Sequence, residues 1–238
     1  MIPAYHEEVG IAACVDAVDR ALGLLPNRTA LIVVDDGSAD ATADVLRDLR
    51  PGYPRLEVIV RATNGGYGAA LKTGCAAAAE RGFDYVLFMD SDLTNDPRYL
   101  ADFADRMADG YDVIKASRYS AGGGTDGVPL ARVVPSVIGN AVARILYGLP
   151  VRDCTNGFRA VRTELLLEVD LHEAGFAVIM EELHRVRAVA RTYANVPIVL
   201  TSRAEHLRGS SFDYGPRALW GYLRYPLATA VERLRSRV

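Results

Sequence analysis

Phe83-Asp84-Tyr85-Val86-Leu87-Phe88-Met89-Asp90-Ser91-Asp92 is the stretch that decides how the chain is read. Its first six residues are mostly apolar and read as a buried strand. The last three place two carboxylates, one residue apart, where that strand stops. Alternate side chains of an extended segment point the same way, so Asp90 and Asp92 can converge on one point. Converging carboxylates repel unless a cation, an arginine or a proton joins them. A hard divalent ion, Mg2+ or Mn2+, shared with a phosphate-bearing substrate is the natural partner.

The neighbouring segments repeat the pattern. Ala30 to Val34 is a continuous apolar run, hence a strand buried on both faces, and it ends in Asp35-Asp36-Gly37-Ser38. Leu56 to Val60 is a further strand, followed by Arg61 and the glycine-rich loop Asn64-Gly65-Gly66-Tyr67-Gly68. Tyr111 to Ala116 is another, with Arg118 just beyond it. Met1-Ile2-Pro3-Ala4-Tyr5 reads as the end of a short strand with a weak anchor. Helical spacing fills the gaps, as in Glu7 to Leu25 (Ile11, Val15, Val18, Leu22). Alternating strands and helices predict an α/β fold, with a mostly parallel central sheet flanked by helices. Such sheets bind ligands beyond the carboxyl ends of their strands. That edge collects Tyr5-His6-Glu7, both acidic pairs, Arg61 and Arg118, which predicts a catalytic cleft.

The second half is less regular. Ser120 to Gly127 reads as a mobile loop, Arg132 to Tyr147 as an amphipathic helix too interrupted to span a membrane, and Phe176 to Arg191 as a helix carrying Glu181 and Glu182. Ala194 to Leu200 reads as a strand. From Tyr214 onward, five arginines face one acid, and leucines recur at helical spacing beside Trp220, Tyr222 and Tyr225. Pro226 is expected to break or kink this helix. Residues 1–212 are therefore read as one domain and 213–238 as a basic amphipathic tail. The tail suits either an anionic membrane surface or docking on the core.

Composition narrows the classes. The 238 residues carry a formal charge of −3, which argues against a general nucleic-acid binder. Cys14, Cys75 and Cys154 have neither metal-ligand nor disulfide-framework spacing, which points to a reducing compartment. The expected location is cytoplasmic, with peripheral contact to the cytoplasmic membrane face through the tail.

Taken together, Pro3-Ala4-Tyr5-His6-Glu7-Glu8, Asp35-Asp36-Gly37-Ser38, the glycine-rich loop and Asp90-Ser91-Asp92 resemble family 2 glycosyltransferases in order and spacing. Ser117-Arg118-Tyr119, Arg132 with Ser136 and Asn140, and Asp153-Cys154-Thr155-Asn156-Gly157-Phe158-Arg159 resemble the dolichyl-phosphate mannose synthase and polyprenyl-phosphate branch. The resemblance implies the GT-A fold, a Rossmann-like platform for a nucleotide sugar. It implies that Pro3, Tyr5, Glu7, Asp35 and Asp36 hold the donor's base and ribose. It implies that Asp90 and Asp92, with Ser91 between them, hold the ion on the diphosphate. Arg118, Arg132, Ser136 and Arg203 would then surround the sugar, diphosphate and acceptor phosphate. Two departures stand out. Thr94 occupies a place where this branch has glutamine or a similar ligand. The lysine that follows the later arginine is absent, with Arg208 nearby.

The leading expectation is a metal-dependent, inverting hexosyl transfer from a GDP-mannose- or UDP-glucose-type donor to a polyprenyl or dolichyl phosphate. In it, Asp90, Asp92, Arg118 and Arg132 do the catalytic work. A second reading keeps the donor but uses a soluble hydroxyl acceptor, with Glu181 or Glu182 as general base. A third is a non-catalytic nucleotide-sugar-binding subunit.

Overall fold

The computed structural model describes residues 1–202 and 215–236. Strand β1 (Ile2–Ala4) pairs in parallel with β2 (Leu31–Asp35), and β2 with β3 (Leu56–Val60). On its other side Met1 donates to the Leu87 carbonyl at 2.7 Å and accepts from the Met89 amide at 3.1 Å. That is the bonding pattern of a parallel pair, and it joins β1 to β4 (Tyr85–Phe88). The short first strand is thus anchored on both edges, not weakly held.

Beyond β4 the order continues through β7 (Arg159–Arg162), β5 (Val113–Ser117) and β8 (Tyr193–Pro197). Strand β7 runs antiparallel between β4 and β5, whereas β5 and β8 are parallel. The central sheet is therefore mostly parallel, as its apolar runs predict.

Both faces of the sheet are covered. Leu31 and Val33 of β2 face one core, with Ile11, Val15 and Val18 of α1 (Ile11–Gly23), Leu46 of α2 (Thr42–Leu49) and Phe103 of α4 (Leu100–Ala108). Ile32 and Val34 face the other, with Ala70, Leu71 and Ala77 of α3 (Tyr67–Glu80), Leu165 and Leu166 of α6 (Thr163–Glu168) and Val178 and Ile179 of α7 (Val178–Val186). The period-two alternation of a doubly buried strand divides these residues.

Three segments differ from expectation. The stretch 120–127 is not simply loop: β6 (Gly124–Asp126) pairs in parallel with β9 (Val199–Thr201). The single strand expected over 194–200 is accordingly two, and β9 leaves the main sheet after Ile198 to build a cleft wall. The tail forms one uninterrupted helix, α8 (Pro216–Arg235), through Pro226. An interior proline costs about 3 kcal/mol, and packing against α7 and α5 (Leu130–Tyr147) offsets that loss here. Thr229 of α8 is fully buried and meets His184 Nδ1 of α7 at 2.7 Å, while Arg233 Nη1 donates to the Leu146 carbonyl at 3.1 Å. The tail is thus docked on the core, one of its two expected arrangements. Helix α5 is long and apolar enough to cross a membrane by length and composition, yet only Asn140, Ala143 and Tyr147 along it are buried.

Candidate active site

The carboxyl ends of β1, β2 and β4 open into one cleft of about 750 Å³. Pro3, Tyr5 and Glu7 line it from β1 and the following turn, Asp36 from β2, and Asp90, Ser91 and Asp92 from β4. Arg118 reaches it from β5, and Arg132 and Ser136 from α5. Residues more than a hundred positions apart thus meet because each stands at the same sheet edge or on the helix facing it.

Asp35 is the exception. Consecutive residues of a strand point to opposite faces. Only Asp36 reaches the cleft wall; Asp35 is fully buried and its Oδ1 accepts from the Ser38 amide at 3.2 Å. It shapes the turn, so the expected substrate contact from Asp35 is corrected. Arg203, expected near the substrates, lies outside the described residues, as does Arg208.

Asp36 has a second task. Its Oδ2 accepts from the Gly66 amide at 2.7 Å and its Oδ1 from the Gly65 amide at 3.1 Å, and Arg61 pairs with it. The carboxylate thereby ties the glycine-rich loop to β2. The glycines there answer to space as well as turn geometry: a Cβ on Gly68 would stand 1.9 Å from the Glu173 carbonyl oxygen. Two non-glycine residues with left-handed backbone, His6 and Leu93 (φ 56° each), flank Tyr5 and Asp92. Such conformations cost roughly 1–3 kcal/mol and cluster at functional sites.

The acidic pair is held from behind. Thr94 donates to Asp92 Oδ1 from its amide at 3.1 Å and its hydroxyl at 2.8 Å. Thr94 is thus an orienting partner of Asp92. The Thr94 carbonyl in turn accepts from the Thr201 amide at 3.0 Å, linking this turn to β9. Tyr67 Oη donates to Asp90 Oδ1 at 3.1 Å, and its ring packs on Phe176 at 4.6 Å between centroids. Burial, then the Asp90 charge, hold the Tyr67 phenol well above its ordinary value, so it stays a donor. Tyr67 and Phe176 were not singled out from sequence; an aromatic inside a glycine-rich loop is the signal that could have found the first.

No cluster of three His, Cys, Asp or Glu side chains suited to a metal occurs among the described residues. A cation here would have two protein carboxylates and would draw its other ligands from substrate phosphates and water. That is how Mg2+ is usually bound, and the donor set fits it.

Arg118 is committed to the protein. Its Nε and Nη2 grip the buried Asp153 carboxylate at 2.7 and 2.9 Å, and Nη2 also reaches Thr155 Oγ1 at 2.9 Å. It staples the end of β5 to the 153–157 segment while lining the cleft. Ser136 Oγ meets Tyr119 Oη at 3.0 Å, and both residues line the cleft. Glu181 and Glu182 are buried and occupied. Glu182 forms a bidentate pair with Arg159 at 2.5 and 2.6 Å. Glu181 accepts from the His172 and Glu173 amides at 2.9 and 2.8 Å and from Arg185 Nε at 2.9 Å. Neither lines the cleft, so neither serves as the expected general base.

Residues 1–169 match the family model Glycosyl transferase family 2. The chain is a family 2 glycosyltransferase. It is 31% identical over 207 residues to the polyprenol monophosphomannose synthase of Mycolicibacterium smegmatis, covering 85% of this chain and 77% of that one. It is 28% identical over 244 residues to the undecaprenyl-phosphate mannosyltransferase of Micrococcus luteus, covering 100% of this chain and 97% of that one. The glucosyl-3-phosphoglycerate synthase of Mycobacterium tuberculosis, solved with Mn2+, UDP and phosphoglyceric acid, superposes with a TM-score of 0.66. Its identity is 25%, over 98% of this chain and 76% of that one. The fold is GT-A, and the chain is an enzyme of glycosyl transfer, which removes the non-catalytic reading.

Proposed function

We propose that this glycosyltransferase moves a hexose from a GDP-mannose- or UDP-glucose-type donor to a polyprenyl phosphate, with Mg2+ or Mn2+ held by Asp90 and Asp92. One observation carries the reading. The cleft joins acidic side chains at the strand edge to an apolar lining drawn from three helices, which forms its apolar arm: Val133, Gly139 and Ala143 of α5, Ile179 of α7, and Leu219 and Leu223 of α8. A nucleoside diphosphate with its cation suits the first, and a prenyl chain suits the second. The names of the two sequence relatives support the acceptor, and the solved neighbour's Mn2+ supports the cation.

When bound, the cation offsets negative charge developing on the departing diphosphate. Pro3, Tyr5, Glu7 and Asp36 orient the base and ribose. Arg132, exposed at the start of α5, meets the acceptor phosphate, and Arg118 presents a guanidinium edge fixed in place by Asp153. A phosphate monoester has a second pKa near 6 and is already a nucleophile at neutral pH, so it needs no strong base. The occupied state of Glu181 and Glu182 therefore favours phosphate over hydroxyl as acceptor.

The apolar arm opens beside helices that expose more apolar surface: Ile138 and Ile145 on α5, and Trp220 and Leu234 on α8. We read these as a peripheral contact with the cytoplasmic membrane face, where such an acceptor resides. The test is a transfer assay with Mn2+ or Mg2+, labelled GDP- and UDP-sugars and a polyprenyl phosphate. Label entering the lipid phase supports the reading; label confined to water-soluble products refutes the acceptor.

A further inference from the structure

Lys115 lies on β5 with 1% of its surface exposed. Among the 27 Lys and Arg residues only Lys72 and Lys115 are lysines, so an ammonium in the core of this arginine-rich chain is conspicuous. Burying one is costly unless its donors are met. Lys115 Nζ donates to the Asn156 carbonyl at 2.6 Å and reaches the Cys154 carbonyl at 3.4 Å. Both acceptors are neutral backbone oxygens, and among the described residues no carboxylate forms an ion pair with it.

The same segment is held at its other carbonyls. Asn140 Nδ2 donates to that of Arg152 at 2.7 Å and Arg159 Nη1 to that of Gly157 at 2.8 Å. Thr155, Asn156 and Gly157 form part of the cleft wall, and a Cβ on Gly157 would stand 3.4 Å from Asp90 Oδ2. The wall beside the acidic pair is thus built on buried donors, one of them a cation with no counter-charge in contact.

We infer that Lys115 is a positioning residue for the anionic substrates, fixing the 154–157 wall and placing an unpaired positive charge behind it. The inference rests on the phosphate-binding reading of the cleft. Burial, then the Arg159 guanidinium, lower the Lys115 pKa to about 8, against the Asp153, Glu182 and Cys154 groups that raise it. The ammonium is charged below that pH and neutral above it. Substrate affinity therefore falls as pH rises through about 8, and a bound anion raises the Lys115 pKa in return.

Lys115→Met keeps the length and removes the charge. Assayed with farnesyl phosphate as acceptor, it is expected to fold with a lowered melting temperature, since the Cys154 and Asn156 carbonyls lose a donor, to raise the acceptor KM about tenfold with kcat within about threefold, and to lose the alkaline limb of the KM profile. A variant with native KM and that limb intact overturns the inference. If Lys115→Met does not fold, the native protein carries the test, because its two lysines give two ammonium resonances after selective 15N labelling. The Lys115 resonance should titrate near 8 and shift upward with farnesyl phosphate or with Mg2+ and inorganic pyrophosphate. A resonance indifferent to both overturns the inference. Response to pyrophosphate alone retains it while refuting the prenyl-phosphate acceptor.

Discussion

Asp92 works through Thr94, whose amide and hydroxyl both bond the same carboxylate oxygen. Partners of this kind orient a ligand and are worth about 10–100-fold in metal affinity. Thr94→Val should therefore raise the Mn2+ concentration for half-activation about tenfold, measured by metal titration of transfer; an unchanged curve would contradict the role. Asp92→Ala should lower metal-dependent turnover by about a hundred- to a thousandfold, in line with losing a principal electrostatic group. Near-native turnover would remove Asp92 from the site. At this scale the sequence is readable in part. The whole Asp90-Ser91-Asp92 turn lines the cleft just beyond β4, whereas of Asp35 and Asp36 only the second does, because Asp35 is still held in β2 and is fully buried. The commitment of Arg118 to Asp153 was not readable, because it depends on β5 meeting a segment 35 residues away.

Helix α7 shows how an element can be placed correctly and its chemistry misjudged. Its existence follows from apolar spacing, but its register on β7 does not, and that register buries Glu182 against Arg159. Arg159 also lies over the Phe88 ring at 4.2 Å, which closes the pair from water. Breaking such a pair leaves an uncompensated buried charge, so Glu182→Ala should destabilise the fold by about 3–5 kcal/mol in urea unfolding. The folded fraction should keep kcat within about threefold; a large kcat loss with native stability would restore the general-base role. The α7–α8 contact carries a pH dependence. Burial, then Arg187 and Arg185, lower the His184 pKa, so the folded state prefers neutral imidazole. Its contribution is present above the ordinary histidine value of 6.5 and is lost as pH falls below it, as the unfolded chain takes up the proton first. Hydrogen-exchange protection factors in α8, which correct for the intrinsic exchange rate at each pH, should fall below that pH, and His184→Gln should flatten the trend. Pro226 predicted a break by local rules, but contacts from two other helices outweigh a local cost that sequence alone cannot set against them.

The whole molecule places two unlike environments in one cleft. Strand alternation brings the acidic end together, and this was legible in the chain order. The apolar arm was not, because it exists only where α8 returns across α5 and where β9 leaves the sheet to pair with β6. The same return leaves Ile138, Ile145 and Trp220 exposed. Ile138→Glu with Ile145→Glu should reduce co-sedimentation with anionic phospholipid vesicles about tenfold or more without changing donor binding; unchanged sedimentation would argue against the membrane face. The most direct test of the central claim, that one cleft takes a nucleotide sugar at its acidic end and a prenyl phosphate in its apolar arm, is Gly139→Phe. Gly139 lines the arm, and a Cβ there meets nothing within 4 Å. An added ring should fold normally and block the arm. The account predicts a polyprenyl-phosphate KM raised about tenfold or more with the donor KM within about twofold. Equal effects on both substrates, or none on the acceptor, would contradict it.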